Sequence, residues 1–233
     1  NDVIKRMATF LMDFTDPTTS LPLPSYDLWE EKHGVSTFTS AATYAGLIAG
    51  AKFAKLFEKE DDERMFSTCA EKMKSAILEH LYDKDLGMFI KLLNTKNGIV
   101  IHDKTIDMSS IYGIFAYGVL DVHDPIVATC IKTIESKLRI HTGIDGIPRY
   151  EKDRYYIQVE GVPNPWYITT LWLAQYYALT ATSNDDLEIV RYWLNWTLTH
   201  SPLSGVLSEQ LHPFTGEQLS ATPLTGSHAE YVR

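Results

Sequence analysis

Gly87-Met88-Phe89-Ile90, Gly146-Ile147-Pro148-Arg149-Tyr150 and Gly205-Val206-Leu207-Ser208-Glu209 share one arrangement. In each, a helix-like stretch ends, a glycine follows, and a short extended run begins. The glycines stand 59 residues apart at both steps, and one further step back falls on position 28, inside Asp27-Leu28-Trp29-Glu30. Two helices and two connections fill a repeat of that size. Such units stack side by side, because a lone helix pair cannot bury its apolar face. Closed into a ring, they would gather equivalent loops at one mouth and bring Glu30, Arg149 and Glu209 together from distant parts of the chain. The alternative is a coincidental spacing in an ordinary helical domain.

The segments between these loops carry helical periodicity. Phe38, Ala41, Ala45, Ile48, Ala49, Phe53 and Leu56 follow one face, as do Met65, Phe66, Cys69, Met73, Ala76, Ile77 and Leu81. The pattern predicts eight helices, over 1–13, 37–59, 62–82, 108–119, 124–138, 165–180, 184–199 and 222–233. Asp124-Pro125, Asn164-Pro165 and Thr222-Pro223 each pair a capping side chain with proline at a first helical position. Asp107 and Ser109 precede a helix and read as caps. Strand signals are few, and Gly98-Ile99-Val100-Ile101 is the clearest, as part of a short hairpin.

Composition narrows the function. A chain of 233 residues predicts one domain, 1–233, with a sizeable core. The net charge of −9 argues against nucleic acid, whose binders present basic stripes, and suits a neutral ligand such as a sugar. Most of the five tryptophans read as core, although aromatic faces also stack on sugar rings. No apolar run approaches the roughly 18 residues of a membrane span. Cys69 and Cys130 fall in helical segments and read as two buried thiols, and the eight histidines show no paired metal spacing. Asp83-Lys84-Asp85-Leu86-Gly87 fails as a calcium loop, because its glycine comes early and Asn94 stands at the twelfth position. The chain opens on Asn1 in helix-like sequence without a signal-peptide pattern, which reads as the interior of a longer protein. The few cysteines and the lack of a visible leader favour a cytoplasmic setting.

Two acidic motifs stand near the two ends. Ser25-Tyr26-Asp27-Leu28-Trp29-Glu30-Glu31 is one, and Leu207-Ser208-Glu209-Gln210 running on to Thr215-Gly216-Glu217-Gln218-Leu219-Ser220-Ala221 is the other. Two separate carboxylates are the minimal equipment for acid/base hydrolysis of a glycosidic bond. With Arg149-Tyr150, Asp153 and Asn164-Pro165-Trp166 between them, these motifs resemble glycoside hydrolase family 15, the glucoamylases, glucodextranases and some trehalases. The resemblance runs in order over nearly the whole chain.

It implies an all-α (α/α)6 toroid of six helical hairpins with the site at its mouth. It also implies an inverting, exo-acting hydrolysis that releases β-glucose from the non-reducing end of an α-glucan or α-glucoside, with no metal or organic cofactor. Six units of this repeat need about 350 residues. The chain would then supply about four hairpins, helices five to twelve. The N-terminal helices, with the Arg-Asp pair that grips the terminal glucose, would belong to a further part of the same protein packing on this one. Where the family commonly has Trp after Pro-Leu-Thr, this chain has Gly226.

By resemblance, Glu30 is the general acid and Glu209 the general base. The acid has to hold its proton near working pH, so burial beside Trp29 and a second carboxylate, Glu31, is expected to raise its affinity for it. Inversion requires the two carboxyl groups to be roughly 6.5–9.5 Å apart, leaving room for a water. Glu31 resembles a binder of substrate hydroxyls, and Asp27 either a partner that sets the site or an Asx-type loop residue. Gln210 orients substrate or loop. Arg149 offers several donors to sugar hydroxyls and to a carboxylate, with a structural salt bridge to Glu151 or Asp153 as its other reading. Trp166, at a helix start, can line the mouth, whereas Trp172, Trp193 and Trp196 belong to the core.

Glucoamylase action on α-1,4-glucans leads, and a trehalase or an α-1,6-acting glucodextranase would use the same motifs. An incomplete, non-catalytic carbohydrate-binding fragment is the rival from another class. On that view the isolated chain would show little or no hydrolase activity and an exposed apolar flank. A terpene-cyclase-like toroid would need an Asp-rich magnesium motif, which Asp61-Asp62-Glu63-Arg64-Met65 does not supply.

Overall fold

The computed structural model describes residues 2–233. They form eight helices: α1 (Asp2–Asp13), α2 (Thr37–Leu56), α3 (Glu60–His80), α4 (Met108–Ala116), α5 (Pro125–Lys137), α6 (Tyr167–Thr180), α7 (Glu188–His200) and α8 (Thr225–Val232). All eight expected helices are present, with ends moved by a few residues. Asn1, expected to open the first, lies outside the described residues.

The helices differ in how much of their circumference is buried. α3 buries a stripe of Phe66, Ala70, Met73 and Ile77, and α5 buries Val127, Cys130, Ile131, Ile134. Both follow the i, i+3, i+4, i+7 spacing of an outer amphipathic helix. α4 is buried at every residue from Met108 to Phe115. α6 hides Tyr167, Leu171, Trp172, Leu173, Ala174 and Tyr176, on all sides of its axis. Helices of the second kind have neighbours all round, and here they alternate along the chain with helices of the first kind.

The contacts divide the chain into two compact units, one of Asn1–Thr105 with Ser109–Cys130, the other of Ile106–Met108 with Ile131–Arg233. In the first, α1, α2 and α3 pack together. Ser36 caps α2 by accepting from the Thr39 N–H at 3.1 Å. α1 crosses α2 at Gly50, where a Cβ would stand 2.7 Å from that of Ala8. Val3, Met7 and Phe10 on α1 remain exposed, at 67, 63 and 62 %.

A four-stranded antiparallel sheet in the same unit orders β1 (Ser25–Tyr26), β2 (His33–Ser36), β5 (Leu92–Lys96) and β6 (Ile99–Asp103). The strand expected at 98–101 is thus the second arm of a hairpin. Its turn, Asn97-Gly98, has both φ values positive, 53° and 76°, as a two-residue hairpin prefers. A smaller pair, β3 (Tyr82–Asp83) with β4 (Met88–Phe89), brackets Gly87. Asp83 shapes that turn by accepting from the N–H groups of Asp85 and Leu86, both at 3.0 Å. This accounts for its calcium-like spacing without a metal.

In the second unit α6 packs against α7 and α8, and β7 (Gln210–Leu211) pairs with β8 (Gln218–Leu219). The glycine at each repeat step is left-handed: φ is 63° at Gly87, 109° at Gly146 and 71° at Gly205. Gly146 is also hemmed in. A Cβ there would meet Pro165 at 2.7 Å and Trp196 at 2.9 Å. Around it, the Ile147 N–H donates to Thr170 Oγ1 at 3.0 Å and the Trp166 N–H to the Ile147 carbonyl at 3.0 Å. This fixes the Gly146 loop against the start of α6.

Two of the three proline start signals need correction. Asp124-Pro125 opens α5 as expected, with Asp124 accepting from the Ile126 N–H at 2.8 Å. Asn164 caps nothing: α6 begins at Tyr167, and the buried Asn164 amide donates instead to the Tyr156 carbonyl and to Gln210. Likewise α8 begins at Thr225 behind Leu224, so Thr222-Pro223 lies outside it. A dipeptide that is locally ideal for a cap gave way in both places to loop hydrogen bonds. Both cysteines are free thiols. Cys130 is buried, with its thiol pushed up to about 12 by burial, while Cys69 is only partly covered.

Candidate active site

Glu30 lies in the six-residue loop between β1 and β2, in the first unit. The loop folds on Asp27. Its Oδ1 accepts from the N–H groups of Glu31 at 2.9 Å and Lys32 at 3.2 Å, its own N–H donates to the Lys32 carbonyl, and its carbonyl accepts from the Glu30 N–H. This is the Asx-type organisation that the sequence left open for Asp27. Asp27 is buried, and its other carboxylate oxygen faces the Lys91 ammonium at 3.7 Å. The chain has to enter the left-handed region at Glu30, φ 57°, to close the loop. Glutamate adopts that conformation only where its surroundings impose it, and such residues concentrate at functional sites. The expected burial of Glu30 is not found. Trp29 is half-buried, and Glu30 and Glu31 are exposed. The short loop wraps around Asp27, so the next two carboxylates turn outward.

Glu209 stands in the second unit, immediately before β7. Its N–H donates to the Ala221 carbonyl at 3.0 Å, and its carbonyl accepts from the Tyr167 N–H at the start of α6. One carboxylate oxygen accepts from Ser220 Oγ at 2.5 Å and from the Gln210 amide at 3.3 Å. Gln210 is fully buried, and its amide oxygen accepts from Asn164 at 2.8 Å. Its side chain thus orients the loop, and it has no exposed surface for a sugar. At the other end of the hairpin, Gln218 donates to the Tyr167 hydroxyl at 3.1 Å and to the Val206 carbonyl at 2.9 Å. The Tyr167 phenol is pushed up to about 12 by burial, the Gln218 hydrogen bond opposing it. It is therefore a fixed neutral peg for the hairpin at ordinary pH.

Arg149 makes the salt bridge to Asp153 that the sequence offered as one of its two readings. Its guanidinium grips Asp153 with both arms, Nε to Oδ2 at 2.7 Å and Nη2 to Oδ1 at 2.8 Å, and both side chains are buried. Glu151 points elsewhere, accepting from the Ile106 N–H. The guanidinium carbon also lies 4.8 Å from the centre of the Trp166 ring, 4.9 Å from Tyr155 and 5.1 Å from Tyr150. Trp166 is accordingly buried as a wall of this aromatic cage, whereas Tyr155 keeps nearly half its surface exposed. Trp172, Trp193 and Trp196 are core, as expected.

Three participants were not found in the sequence. Ser220 was visible only as part of a motif, because its contact with Glu209 depends on the β7–β8 register. Tyr155 follows Asp153 closely and was open to inspection. Lys91 carried no signal: a lysine next to an apolar run ordinarily marks the surface. Among the described residues no group of histidine, cysteine, aspartate and glutamate side chains is arranged to hold a metal ion, and no helix is long and apolar enough to cross a membrane.

The fold agrees with that of known helical glycosidases. It superposes on a bacterial glucoamylase solved with acarbose with a TM-score of 0.81, at 22 % identity, over 98 % of this chain and 36 % of that one. It is thus a portion of the (α/α)6 toroid class. The model of the family described as Glycosyl hydrolases family 15 matches residues 11–196, and the chain belongs to that family. An uncharacterized glycosyl hydrolase of Methanocaldococcus jannaschii is 33 % identical over 218 residues, covering 90 % of this chain and 33 % of the relative. A glucoamylase of Blastobotrys adeninivorans is 25 % identical over 298 residues, covering all of this chain and 46 % of the relative. The chain thus spans about a third to a half of the length of the curated relatives it matches. The family match includes Glu30, Arg149 and Trp166 and ends before Glu209.

Proposed function

We propose that the protein carrying this chain is an inverting, exo-acting α-glucoside hydrolase of glucoamylase type, with Glu30 as general acid and Glu209 as general base. The observation that carries the reading is the contrast between the two carboxylates. Glu209 is half-buried and held by Ser220 and Gln210 on one oxygen. Donors on that oxygen fix the direction of the carboxylate and leave its other oxygen to take a proton from water. Glu30 carries no such donors on its side chain among the hydrogen bonds of its loop, and it projects from a loop tip where a leaving oxygen can reach it. Glu31 and Trp29 flank it for contact with sugar hydroxyls and a ring face.

Relatives named glucoamylase, and a structural neighbour solved with acarbose, support an α-glucan or α-glucoside as substrate. The Arg149–Asp153 pair within its aromatic cage supports a rigid wall with the partly exposed Tyr155 as its contact surface. The chemistry uses these side chains and water: Glu30 gives its proton to the glycosidic oxygen as the bond breaks, while Glu209 removes a proton from water attacking the opposite face. The test is hydrolysis of maltose, isomaltose and trehalose by the full gene product carrying this chain. Maltose should be cleaved fastest, and Glu30→Gln and Glu209→Gln should each lower kcat by at least about a hundredfold. Full activity in either variant would remove that residue from its role, and a preference for trehalose would replace glucoamylase by trehalase.

A further inference from the structure

We propose that Lys91 is a positioning residue for the acid loop, holding the Asp27 carboxylate from beneath so that Asp27 fixes the backbone that presents Glu30. The inference rests on the reading of Glu30 as the acid. Lys91 and Asp27 form an ion pair at 3.7 Å whose side chains are 2 % and 3 % exposed. Two long-range backbone bonds fix the lysine itself: its N–H donates to the Asp103 carbonyl at 2.9 Å, and its carbonyl accepts from the Thr37 N–H at 3.3 Å. The ammonium therefore rises from the junction of the sheet with the start of α2, from backbone tied on both sides. Asp27 uses its other oxygen to gather the Glu31 and Lys32 N–H groups. The order of contacts runs from a rigid floor, through Lys91, to Asp27, to the left-handed turn at Glu30.

A buried carboxylate without its counter-charge is strongly destabilised where it stands. Loss of Lys91 should therefore act first on Asp27 and on the loop gathered around it, and much less on the helices. Amide hydrogen exchange on this chain reads that directly. In Lys91→Met, the Glu31 and Lys32 amides should exchange about tenfold faster or more, while amides in the middle of α2 and α3 keep their wild-type rates. Unchanged loop protection would overturn the proposal. So would equal loss of protection in loop and helices, or a variant that does not fold, since Lys91 would then be a general core residue. The wild-type chain supplies a check that needs no folded Lys91 variant. The Lys91 ammonium should give a slowly exchanging nitrogen-correlated NMR signal that Asp27→Asn displaces. Its absence, or indifference to Asp27→Asn, would equally refute the assignment.

In the full gene product, Lys91→Met should lower kcat about tenfold with KM near the wild-type value, because the acid is misplaced while substrate contacts remain. A rise in KM with kcat unchanged would contradict a positioning role. A Glu30→Gln variant that kept full activity would refute Glu30 as the acid while leaving the exchange result standing, so the two failures are distinguishable.

Discussion

Glu209 owes its orientation to a serine eleven residues further on, and that dependence has a measurable size. A hydrogen bond to a charged group contributes about 1.5–3 kcal/mol. Ser220→Ala should therefore lower kcat of the full gene product roughly tenfold, since Gln210 still holds the same oxygen. Glu209→Gln removes the proposed base itself and should lower kcat by at least about a hundredfold. Equal losses in the two variants would mean that Ser220 acts through the fold. At this scale the sequence singles out Glu30, Glu209 and Arg149 because each stands in a local motif, and their roles are the ones proposed above. What was not legible depended on distance. Lys91 is buried beside Asp27 from 64 positions further along the chain, and the exposure of Glu30 follows from a loop whose interior is filled by Asp27.

The turns at the repeat steps show how single elements are held. Arg139, Asp145 and Tyr192 form a network at the Gly146 turn: Arg139 binds both oxygens of Asp145, and the Tyr192 hydroxyl donates to one of them at 2.6 Å. Burial alone would raise the Asp145 pKa, but the bonds from Arg139, Tyr192 and the Gly146 N–H together hold it below the ordinary carboxylate value. A group with a depressed folded-state pKa stabilises the fold above its unfolded pKa, near 3.9, and loses that contribution as pH falls through the folded value. Asp145→Asn should thus cost about 2 kcal/mol in denaturant unfolding at pH 7, and the deficit should shrink progressively below about pH 4. A deficit that stayed constant to pH 2 would show that the charge is not the cause. Gly146→Ala, which meets Pro165 and Trp196, should cost more than about 2 kcal/mol. Gly205→Ala, which meets nothing within 4 Å, should cost only the roughly 1–2 kcal/mol of its left-handed φ. Gly226 sits in α8, where a Cβ would make an ordinary contact with Ile168 Cγ2 at 4.0 Å, so Gly226→Ala should stabilise the chain by about 0.5–1 kcal/mol. The glycine spacing was readable because left-handed turns leave a mark in sequence. The strands β1, β2, β7 and β8 were not, because two to four residues are too few to show alternation.

At the scale of the whole molecule, eight helices could be read from periodicity alone, because each has an apolar stripe or an apolar girth long enough to repeat. The family followed from motifs spread over most of the chain and is shown by the match over residues 11–196. That match stops short of Glu209, the proposed base, whose setting is defined by Ser220, Gln210 and the β7–β8 hairpin. The stereochemistry of the product reports on acid and base together. Proton NMR of the first glucose released from maltose by the full gene product, read before mutarotation, is the most direct test. A water activated by a base on the face opposite the leaving group gives β-glucose, which is the result predicted here, and its rate should fall with Glu209→Gln. Initial release of α-glucose would contradict the inverting mechanism and the roles assigned to Glu30 and Glu209.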